Sequence, residues 1–252
     1  MLTGTVSACE SVDARVVDRL YDLFVKYYRD VERRVFDQDW EEKDRVLLLR
    51  DTEGTIQGFT TMKLYDLDFL ERRVRVVFNG NTIIDPSYWG EQELVRAWCR
   101  FMAELKMEAP SVPLYWYLIS SGYRTYLFLP LFFREFVPRW DRSPPVFEAG
   151  LRDFLGRMKF PEEYRDGVVH VEKPRECLRP DLAVPSPARL KSRHVQFFLQ
   201  QNPGYLNGDE LVCLAEYSLD NTQRTARTAL EEKVIEERGH EAASSGKSSI
   251  ST

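Results

Sequence analysis

Apolar residues recur every three to four positions in several stretches of this chain, the spacing of amphipathic helices. In residues 12–28 they are Val16, Val17, Leu20, Leu23, Phe24 and Tyr27. This stretch predicts a helix that begins after Ser11, a residue type common at helix N-caps. The same spacing predicts helices over residues 35–43 and 91–106.

Short apolar runs bounded by turn residues predict strands. Their bounds are residues 45–50, 56–64, 72–84 and 113–120, with a further short strand expected at residues 3–8. The turn Asp51-Thr52-Glu53-Gly54 predicts that the first two form a hairpin. Residues 123–132 predict a short buried helix, and residues 134–138 predict another strand.

The composition indicates a folded protein without a nucleic-acid partner. Of the 252 residues, 43% are hydrophobic and 13% aromatic, which is enough for a core. The net charge of -5 argues against nucleic-acid binding. The four cysteines, Cys9, Cys99, Cys177 and Cys213, are widely spaced and accompanied by three histidines, so we predict free thiols and no metal site.

We expect neither a secretory signal nor a membrane span from the sequence. The first ten residues lack a basic and an apolar region, so a cytoplasmic protein is expected. Residues 112–133 are apolar, but Arg124, Pro130 and Ser120-Ser121-Gly122 interrupt them. This segment predicts a buried strand followed by a buried helix.

The pattern changes beyond Trp140, where Ser143-Pro144-Pro145 indicates a boundary. We expect a core over residues 1–142 and a C-terminal extension over residues 143–238 that packs on or beside it. Within the extension, residues 146–158 and 225–238 predict helices, and residues 188–200 and 210–216 predict ordered segments. The Ser-rich residues 239–252 are expected to be a disordered tail.

The order of elements through Pro138 is helix, hairpin, long strand, glycine-bearing turn, helix, strand, helix, strand. Together with the hairpin over residues 46–59 and the helix over residues 123–134, the sequence Thr82-Ile83-Ile84-Asp85-Pro86-Ser87-Tyr88-Trp89-Gly90 resembles the GNAT superfamily of N-acyltransferases. The resemblance covers about the first 140 residues. It implies an α/β fold with a mixed sheet, in which two central strands splay apart and hold a thioester donor.

The resemblance also implies where the donor binds. Backbone groups of Thr82, Ile83 and Ile84 would hold a pantetheine arm, and residues 90–92, Gly90, Glu91 and Gln92, would meet its phosphate end. The turn departs from the family pattern, because it has one glycine where the family has several small residues, and Glu91 and Glu93 add negative charge. This departure predicts weak binding of free coenzyme A and makes acyl carrier protein an alternative donor, docked on Arg72, Arg73, Arg75, Arg134, Arg139 and Arg142.

Two residues are expected to carry proton transfers. Tyr126 is the predicted acid that protonates the leaving thiolate, with a packing role in the core as the alternative. Asp85 is a predicted base for the incoming amine, or else a turn carboxylate that precedes the helix.

A run of aromatic residues follows the predicted splay. Its members are predicted to line a pocket for a medium or long acyl chain, or else to be ordinary core: Tyr115, Tyr117, Tyr123, Phe128 and Phe132. The resemblance thus implies an N-acyltransferase that moves an acyl group to an amine-bearing small molecule or peptide. No tightly bound cofactor is expected, and acyl-CoA or an acyl-phosphopantetheine would be the co-substrate. The alternative is a non-catalytic protein-interaction module on an acyltransferase-like scaffold.

Overall fold

The computed structural model describes residues 1–247, with side chains described through residue 236. The first half of the chain forms the elements β1 (Thr3–Ala8), α1 (Ala14–Tyr27), β2 (Tyr28–Arg29), α2 (Arg33–Glu41), β3 (Arg45–Arg50), β4 (Ile56–Phe69), β5 (Arg72–Ile84), α3 (Glu93–Glu108), β6 (Leu114–Ser120), α4 (Tyr123–Tyr126) and α5 (Phe128–Phe132).

The second half adds shorter elements and two longer helices. They are α6 (Val146–Lys159), β7 (Tyr164–Arg165), β8 (Val168–Val169), β9 (Cys177–Leu178), α7 (Pro180–Ala183), α8 (Arg193–Gln201), β10 (Glu210–Glu216) and α9 (Arg224–Lys247). Residues 134–138, predicted as a strand, make one isolated bridge instead, from Val137 to Leu214, and Phe133 just before them makes another to Thr222. Asp13 caps α1 by accepting from Arg15 N–H at 2.8 Å, so the prediction of Ser11 as the cap is wrong.

Eight strands form one mixed sheet in the order β1-β3-β4-β5-β6-β10-β8-β7. The β5–β6 pair is parallel and the other neighbouring pairs are antiparallel. A second, two-stranded sheet pairs β2 with β9. The predicted mixed α/β fold is therefore confirmed, as is the hairpin of β3 and β4.

The parallel pair separates partway along. The ladder between β5 and β6 runs from Arg75↔Leu114 to Asn79↔Leu118 and stops there. Beside this point β5 carries a bulge, because Met62 pairs with Asn79 while Thr60 pairs with Thr82. A bulge increases local strand twist and bends the strand, so residues beyond Asn79 turn away from β6. The predicted splay between residues 72–84 and 113–120 is present.

Side chains of the sheet alternate between two faces, each covered by helices. On one face, Val77 of β5 packs with Trp116 of β6 under α3, α5, α8 and α9. We call this the α3 face. On the other, the α1 face, one cluster packs α1 and α2 on β3 and β4, and a second packs α6 on β5, β6 and β10. The two faces meet at the gap between β5 and β6.

The C-terminal half completes the sheet. β10 pairs with β6 from Leu211↔Ser120 to Glu216↔Tyr115 and is buried through Leu211–Ala215. The boundary predicted at residue 142 therefore does not divide the sheet. Helix α9 packs along α3 and extends to Lys247, into the segment predicted as a tail, while residues 248–252 lie outside the described residues. Within residues 1–247 no helix is both long and apolar enough to cross a membrane.

Candidate functional site

A narrow cleft lies on the α3 face where β5 and β6 separate. Its walls come from strands β4 to β6 and from helices α3 to α5, with Val95, Trp98, Trp116, Phe128 and Phe132 as the main apolar residues. Its volume is about 30 Å³, which is close to the space of a single water molecule. The cleft is therefore a slit between packed side chains.

Asn79 closes the floor of the cleft by joining three side chains. It is 3% exposed, and its Oδ1 accepts hydrogen bonds from Trp116 Nε1 at 2.7 Å and Trp98 Nε1 at 3.2 Å. Its Nδ2 donates to Thr60 Oγ1 at 2.9 Å. Because this one amide satisfies both indoles, it fixes the two rings against each other, with centroids 4.6 Å apart.

The edge of β5 that faces the gap carries backbone groups of two predicted donor-binding residues. Asp85 N–H donates to Gln57 O in β4 at 2.8 Å. Since N–H and C=O groups alternate sides along a strand, those of Ile84 and Thr82 point away from β4 and toward the gap. Ile83 points its backbone groups to β4 and buries its side chain on the α1 face.

Asp85 holds the turn that follows β5. Its Oδ2 accepts from Tyr27 OH at 2.6 Å and Lys26 Nζ at 2.9 Å, and its Oδ1 accepts from Ser87 N–H at 3.0 Å. Burial alone would raise the pKa of Asp85, but these hydrogen bonds hold the pKa well below its usual range. A carboxylate bonded in this way is a weak base, which favours the predicted alternative of a turn carboxylate.

Glu91 and Glu93 accept hydrogen bonds that connect the β1 region to the start of α3. Glu91 Oε2 accepts from Leu2 N–H at 2.5 Å, and Glu93 Oε1 accepts from Gly4 N–H at 3.1 Å and from Arg100 at 3.0 Å. The Leu2 hydrogen bond is the main reason that the pKa of Glu91 is lowered. The two carboxylates thus have partners within the fold, which reduces the repulsion expected for an approaching phosphate.

Gly90 and Gln92 are exposed in the turn between β5 and α3, and neither lines the cleft. A Cβ atom at Gly90 would meet nothing within 4 Å. The fold itself therefore leaves room for a side chain at this position.

Arg124 and Trp89 meet across the mouth of the gap. The Arg124 guanidinium, on α4, lies 4.5 Å from the centre of the Trp89 ring, in the turn after β5, and Trp89 Nε1 donates to Ile84 O at 3.0 Å. A cation over an indole face is attractive by about 0.5–2 kcal/mol. This pair bridges the two sides of the gap and brings a positive charge to it.

Tyr126 lies away from the cleft, inside the α3-face core. Its side chain is 0% exposed, its hydroxyl donates to Pro138 O at 3.0 Å, and its ring contacts Phe136, Phe197 and Phe198. Burial raises the pKa of Tyr126 far above its usual value. This geometry favours the predicted alternative of a packing tyrosine.

The predicted acyl pocket is divided between the two faces of the sheet. Tyr115 and Tyr117 point to the α1 face, where Tyr115 OH lies 3.5 Å from Glu148. Tyr123 and Phe132 are buried on the α3 face, with Phe128 packed against them, and Phe128 and Phe132 line the cleft. The division follows from strand alternation, which sends Tyr115 and Tyr117 to the face opposite Trp116.

Four of the six arginines predicted as a carrier-docking face, Arg73, Arg75, Arg139 and Arg142, pair with acids. Arg72 lies over the Phe147 ring, and Arg134 donates to Asp220 O. Arg75 pairs with Asp66 at 3.0 Å and Glu108 at 2.9 Å, and Arg142 pairs with Glu135 at 2.7 Å. Arg75 also sits nine positions before Ile84 in an extended strand, roughly 30 Å from the cleft mouth at 3.3 Å per residue.

On the α1 face, Glu210 lies at the start of β10 beside the end of β6. Its Oε1 accepts from Ser121 Oγ at 2.6 Å. Burial, followed by the charges of Glu176 and Asp39, raises the pKa of Glu210 to about 7. A carboxyl group with this pKa exchanges its proton readily near neutral pH.

Further titratable side chains lie close enough to Glu210 for their charges to affect its pKa. Burial raises the pKa of Glu176 to about 6, with Asp39 adding to the effect, and the pKa of Tyr28 is raised by burial and by Glu210 and Glu176. Asp39 accepts from Lys43 and from Asn81 Nδ2, the latter at 3.4 Å, and Asn81 lies in the β5 bulge. The cluster therefore extends from Glu210 to the bulge at the edge of the gap.

Gly80 makes room for Lys43 in this cluster. A Cβ at Gly80 would lie 2.6 Å from both Lys43 Cε and Thr61 Oγ1. Burial lowers the pKa of Lys43 even though Asp39 opposes the shift.

The sequence interpretation did not identify Asn79, Glu210 or Glu176. A sequence signal existed for Glu210, since it is an acid at the start of the apolar run Leu211-Val212-Cys213-Leu214-Ala215. Asn79 is likewise a polar residue within a buried strand. Glu176 gave no such signal, because its burial results from pairing between β2 and β9.

No protein-family model and no curated protein matches the chain. Solved structures do match over about half of it. One is a probable N-acyltransferase of unknown function from Enterococcus faecalis V583, with a TM-score of 0.37 and 15% identity over 50% of this chain and 31% of that protein. The chain thus matches less than a third of the length of that protein.

Two other similar structures are acetyltransferases. A Trypanosoma brucei acetyltransferase matches with a TM-score of 0.39 and 16% identity, over 57% of this chain and 100% of that one. A GNAT-family N-acetyltransferase from Escherichia coli, solved in complex with CoA, matches with a TM-score of 0.34 and 14% identity, over 48% of this chain and 64% of that one. The chain is similar to these two proteins over about half of its own length.

Proposed function

We propose that this protein is an N-acyltransferase in which a thioester and an amine meet at the gap between β5 and β6. The single observation that carries the proposal is the position of Glu210. Its carboxyl group, with a pKa of about 7, accepts from Ser121 Oγ, three residues beyond Leu118, where the β5–β6 ladder stops. The thioester would enter from the α3 face and the amine from the α1 face.

The donor half of the proposal uses the free edge of β5. The backbone N–H groups of Thr82 and Ile84 point into the gap, where they would hold the pantetheine arm and polarise the thioester carbonyl. The phosphate end would pass Gly90, Gln92 and Arg124 at the mouth. The donor is acyl-CoA or an acyl-phosphopantetheine, used as a co-substrate.

Glu210 would act as the general base. The amine nitrogen attacks the carbonyl carbon, the C–N bond forms and the C–S bond breaks. Glu210 takes the amine proton, directly or through one water molecule, and the released thiolate takes up a proton from solvent. Because the carboxylate form is the active one, the rate is expected to rise as pH increases through about 7.

The transferred group is proposed to be small, on the scale of an acetyl group. The cleft has a volume of about 30 Å³, and two of the five aromatic residues predicted to line an acyl pocket lie on the opposite face. A longer chain would need Phe128 or Phe132 to move. This proposal replaces the medium or long chain expected from the aromatic run.

One observation favours the non-catalytic alternative. The hydrogen bonds of Asn79 to Trp98 and Trp116 pack both indoles against the floor of the cleft. A donor arm that needs more space than the slit offers would have to part these rings. A measurement of donor binding therefore distinguishes an N-acyltransferase from a non-catalytic interaction module.

The test follows thiol release from acyl-CoA donors of two to sixteen carbons and from acyl carrier protein, with a panel of primary amines. We expect amine-dependent turnover, with the shortest donors fastest. Glu210→Gln should lower kcat/KM by roughly 100-fold or more and remove its rise near pH 7, whereas Glu232→Gln, on the exposed surface of α9, should change neither. If no donor binds or reacts, the interaction-module function becomes the better conclusion.

A further inference from the structure

One backbone acceptor on the open edge of β5 is already occupied by a side chain from the turn that follows the strand. Trp89 Nε1 donates to Ile84 O at 3.0 Å, and the backbone groups of Ile84 point into the gap. A strand edge with free carbonyl groups pairs with extended ligands that carry amide N–H groups. Trp89 therefore occupies a carbonyl group that an extended donor arm would use.

A short, closed turn fixes the backbone of Trp89 and leaves its ring accessible. Asp85 Oδ1 accepts from Ser87 N–H at 3.0 Å, and Tyr88 N–H donates to Asp85 O at 2.9 Å. Trp89, the next residue, is 43% exposed. Rotation about the side-chain bonds of Trp89 is therefore enough to carry the ring away from Ile84, and the turn need not change.

Arg124 holds the ring of Trp89 from the other side of the gap. Its guanidinium lies 4.5 Å from the centre of the Trp89 ring and 5.2 Å from that of Tyr123, and its Nε donates to Leu182 O at 3.5 Å. Trp89 is thus held by one neutral hydrogen bond and one cation–π contact at an exposed site. Interactions of both kinds are individually weak, so a ligand that offers equivalent contacts can replace them.

The two tryptophans inside the cleft are held more firmly. Trp98 and Trp116 are each 4% exposed, and both donate to Asn79 in the floor. Moving either ring would leave a buried N–H group without its acceptor, whereas the N–H group of a displaced Trp89 would meet water. Of these three tryptophans, Trp89 is therefore the one that moves at low cost.

We propose that Trp89, held by Arg124, is a displaceable latch on the donor strand. Its indole N–H group occupies the Ile84 carbonyl until an amide N–H group of the pantetheine arm replaces it. The inference rests on the proposed function for the identity of this arm. Because the arm binds only when the latch is open, the apparent affinity for the donor is reduced in proportion to the open fraction. Weakening the latch should consequently tighten donor binding.

Titration of the full chain with S-acetylpantetheine tests the latch, because this thioester carries the amide groups of the arm and no phosphate that could bind Arg124. Heteronuclear NMR of the indole N–H groups follows the titration, and the Trp89 signal is identified by its absence from the variant Trp89→Phe. We expect this signal to move to the position of a solvated indole at saturation. The signal of Trp98, which lines the cleft, gives the dissociation constant in every protein.

Trp89→Phe keeps a ring against Arg124 but removes the N–H group, so it should tighten S-acetylpantetheine binding about threefold to tenfold. Arg124→Gln weakens the latch from the other side and should also tighten binding. Trp140→Phe is the matched control, because Trp140 is 40% exposed, lies 4.8 Å from the Arg193 guanidinium and does not line the cleft. This control should leave the dissociation constant unchanged.

Two results would overturn the latch: a Trp89 signal that does not move at saturation, or no tightening in Trp89→Phe, with Arg124→Gln in its place should that variant not fold. The proposed function fails separately. Displacement of Trp89 without turnover of the thioester by any amine would retain the latch and reject acyl transfer. Turnover with the Trp89 signal unmoved would retain acyl transfer and reject the latch. Absence of binding in all of these proteins would reject both.

Discussion

Folding buries the carboxyl group of Glu210 and makes its ionised form unfavourable. Its pKa of about 7 exceeds the value of 4.5 for an ordinary glutamate, chiefly because of burial. A group whose pKa is raised by folding contributes fully to the free energy of unfolding at a pH below its pKa in the unfolded state. This contribution is lost as the pH rises through its pKa in the folded state. The stability is therefore lost progressively between pH 4.5 and about pH 7, and the full cost remains above about pH 7. A catalytic base would explain this cost.

The first prediction is that Glu210→Gln stabilises the protein at pH 8 and has little effect at pH 5. Glutamine keeps an oxygen that accepts from Ser121 Oγ but never ionises. The gain should be roughly 1–2 kcal/mol after allowance for solvent screening. Urea unfolding at the two pH values measures it, with Glu232→Gln as control. A variant less stable than the natural protein at pH 8 would reject the raised pKa.

Asn79 gives a second prediction. Asn79→Ala leaves the indole N–H groups of Trp98 and Trp116 buried without their acceptor, and each unpaired buried group costs about 1–3 kcal/mol. We expect a loss of about 2–4 kcal/mol in the free energy of unfolding. Asn81→Ala, which removes a single 3.4 Å contact to Asp39, should lose less than about 1 kcal/mol. Equal losses in both variants would mean that Asn79 does not organise the cleft.

Gly90 provides a probe of the donor. Because a side chain there meets nothing within 4 Å, Gly90→Val should leave the melting temperature nearly unchanged. If the phosphate end of the donor passes this residue, the variant should raise KM for acyl-CoA severalfold without lowering kcat. A thioester of N-acetylcysteamine, which has no phosphates, should react equally well with both proteins. An unchanged KM for acyl-CoA would remove Gly90 from the donor path.

At the scale of elements, β10 shows where local sequence patterns stop being sufficient. The bounds of β3 and β5 agree with the predicted residues 45–50 and 72–84, because apolar runs and turn residues define them locally. Residues 210–216 also form an element with the predicted bounds. Its place in the sheet depends on pairing with β6, about ninety residues earlier, which no local pattern encodes.

The same limit applied to the site. The predicted splay and the open edge at Thr82 and Ile84 follow from a strand and turn that are contiguous in sequence. Glu210 and Glu176 reach the site through β10 and β9, which pair with strands far from them in the sequence. Tyr115 and Tyr117 lie on the opposite face of the sheet from Phe132, because side chains alternate between faces along a strand. The alternation is visible in the sequence, but the predicted acyl pocket grouped these residues only because all are aromatic.

The pairing of β10 with β6 predicts that residues 1–142 do not fold alone. Removing β10 exposes the edge of β6 and the buried apolar residues that pack on Leu211–Ala215, and an exposed apolar strand edge promotes aggregation. Circular dichroism should show no cooperative melting for this fragment. Residues 1–236, which keep all strands, should melt cooperatively. A folded fragment 1–142 would restore the predicted boundary.

At the scale of the whole molecule, the gap between β5 and β6 can be reached from the two opposite faces of the sheet. The α3 face offers a slit with free backbone donors and a cation at its mouth, and the α1 face carries Glu210 and Glu176, whose pKa values are raised by burial. An enzyme that joins two substrates gains most when each is held on its own side with the reacting atoms aligned. The bulge of β5 produces this arrangement by turning the strand away from β6.

A crystal structure with a thioether analogue of acetyl-CoA, in which a methylene group separates the sulfur from the carbonyl, tests the central claim most directly. We predict that the analogue enters between α3 and α4. Its carbonyl oxygen should accept a hydrogen bond from the N–H of Thr82 or Ile84, and its carbonyl carbon should be open to Glu210 through the gap. An analogue bound elsewhere, or a gap that remains closed by Trp98 and Trp116 at saturating analogue, would contradict acyl transfer at this site.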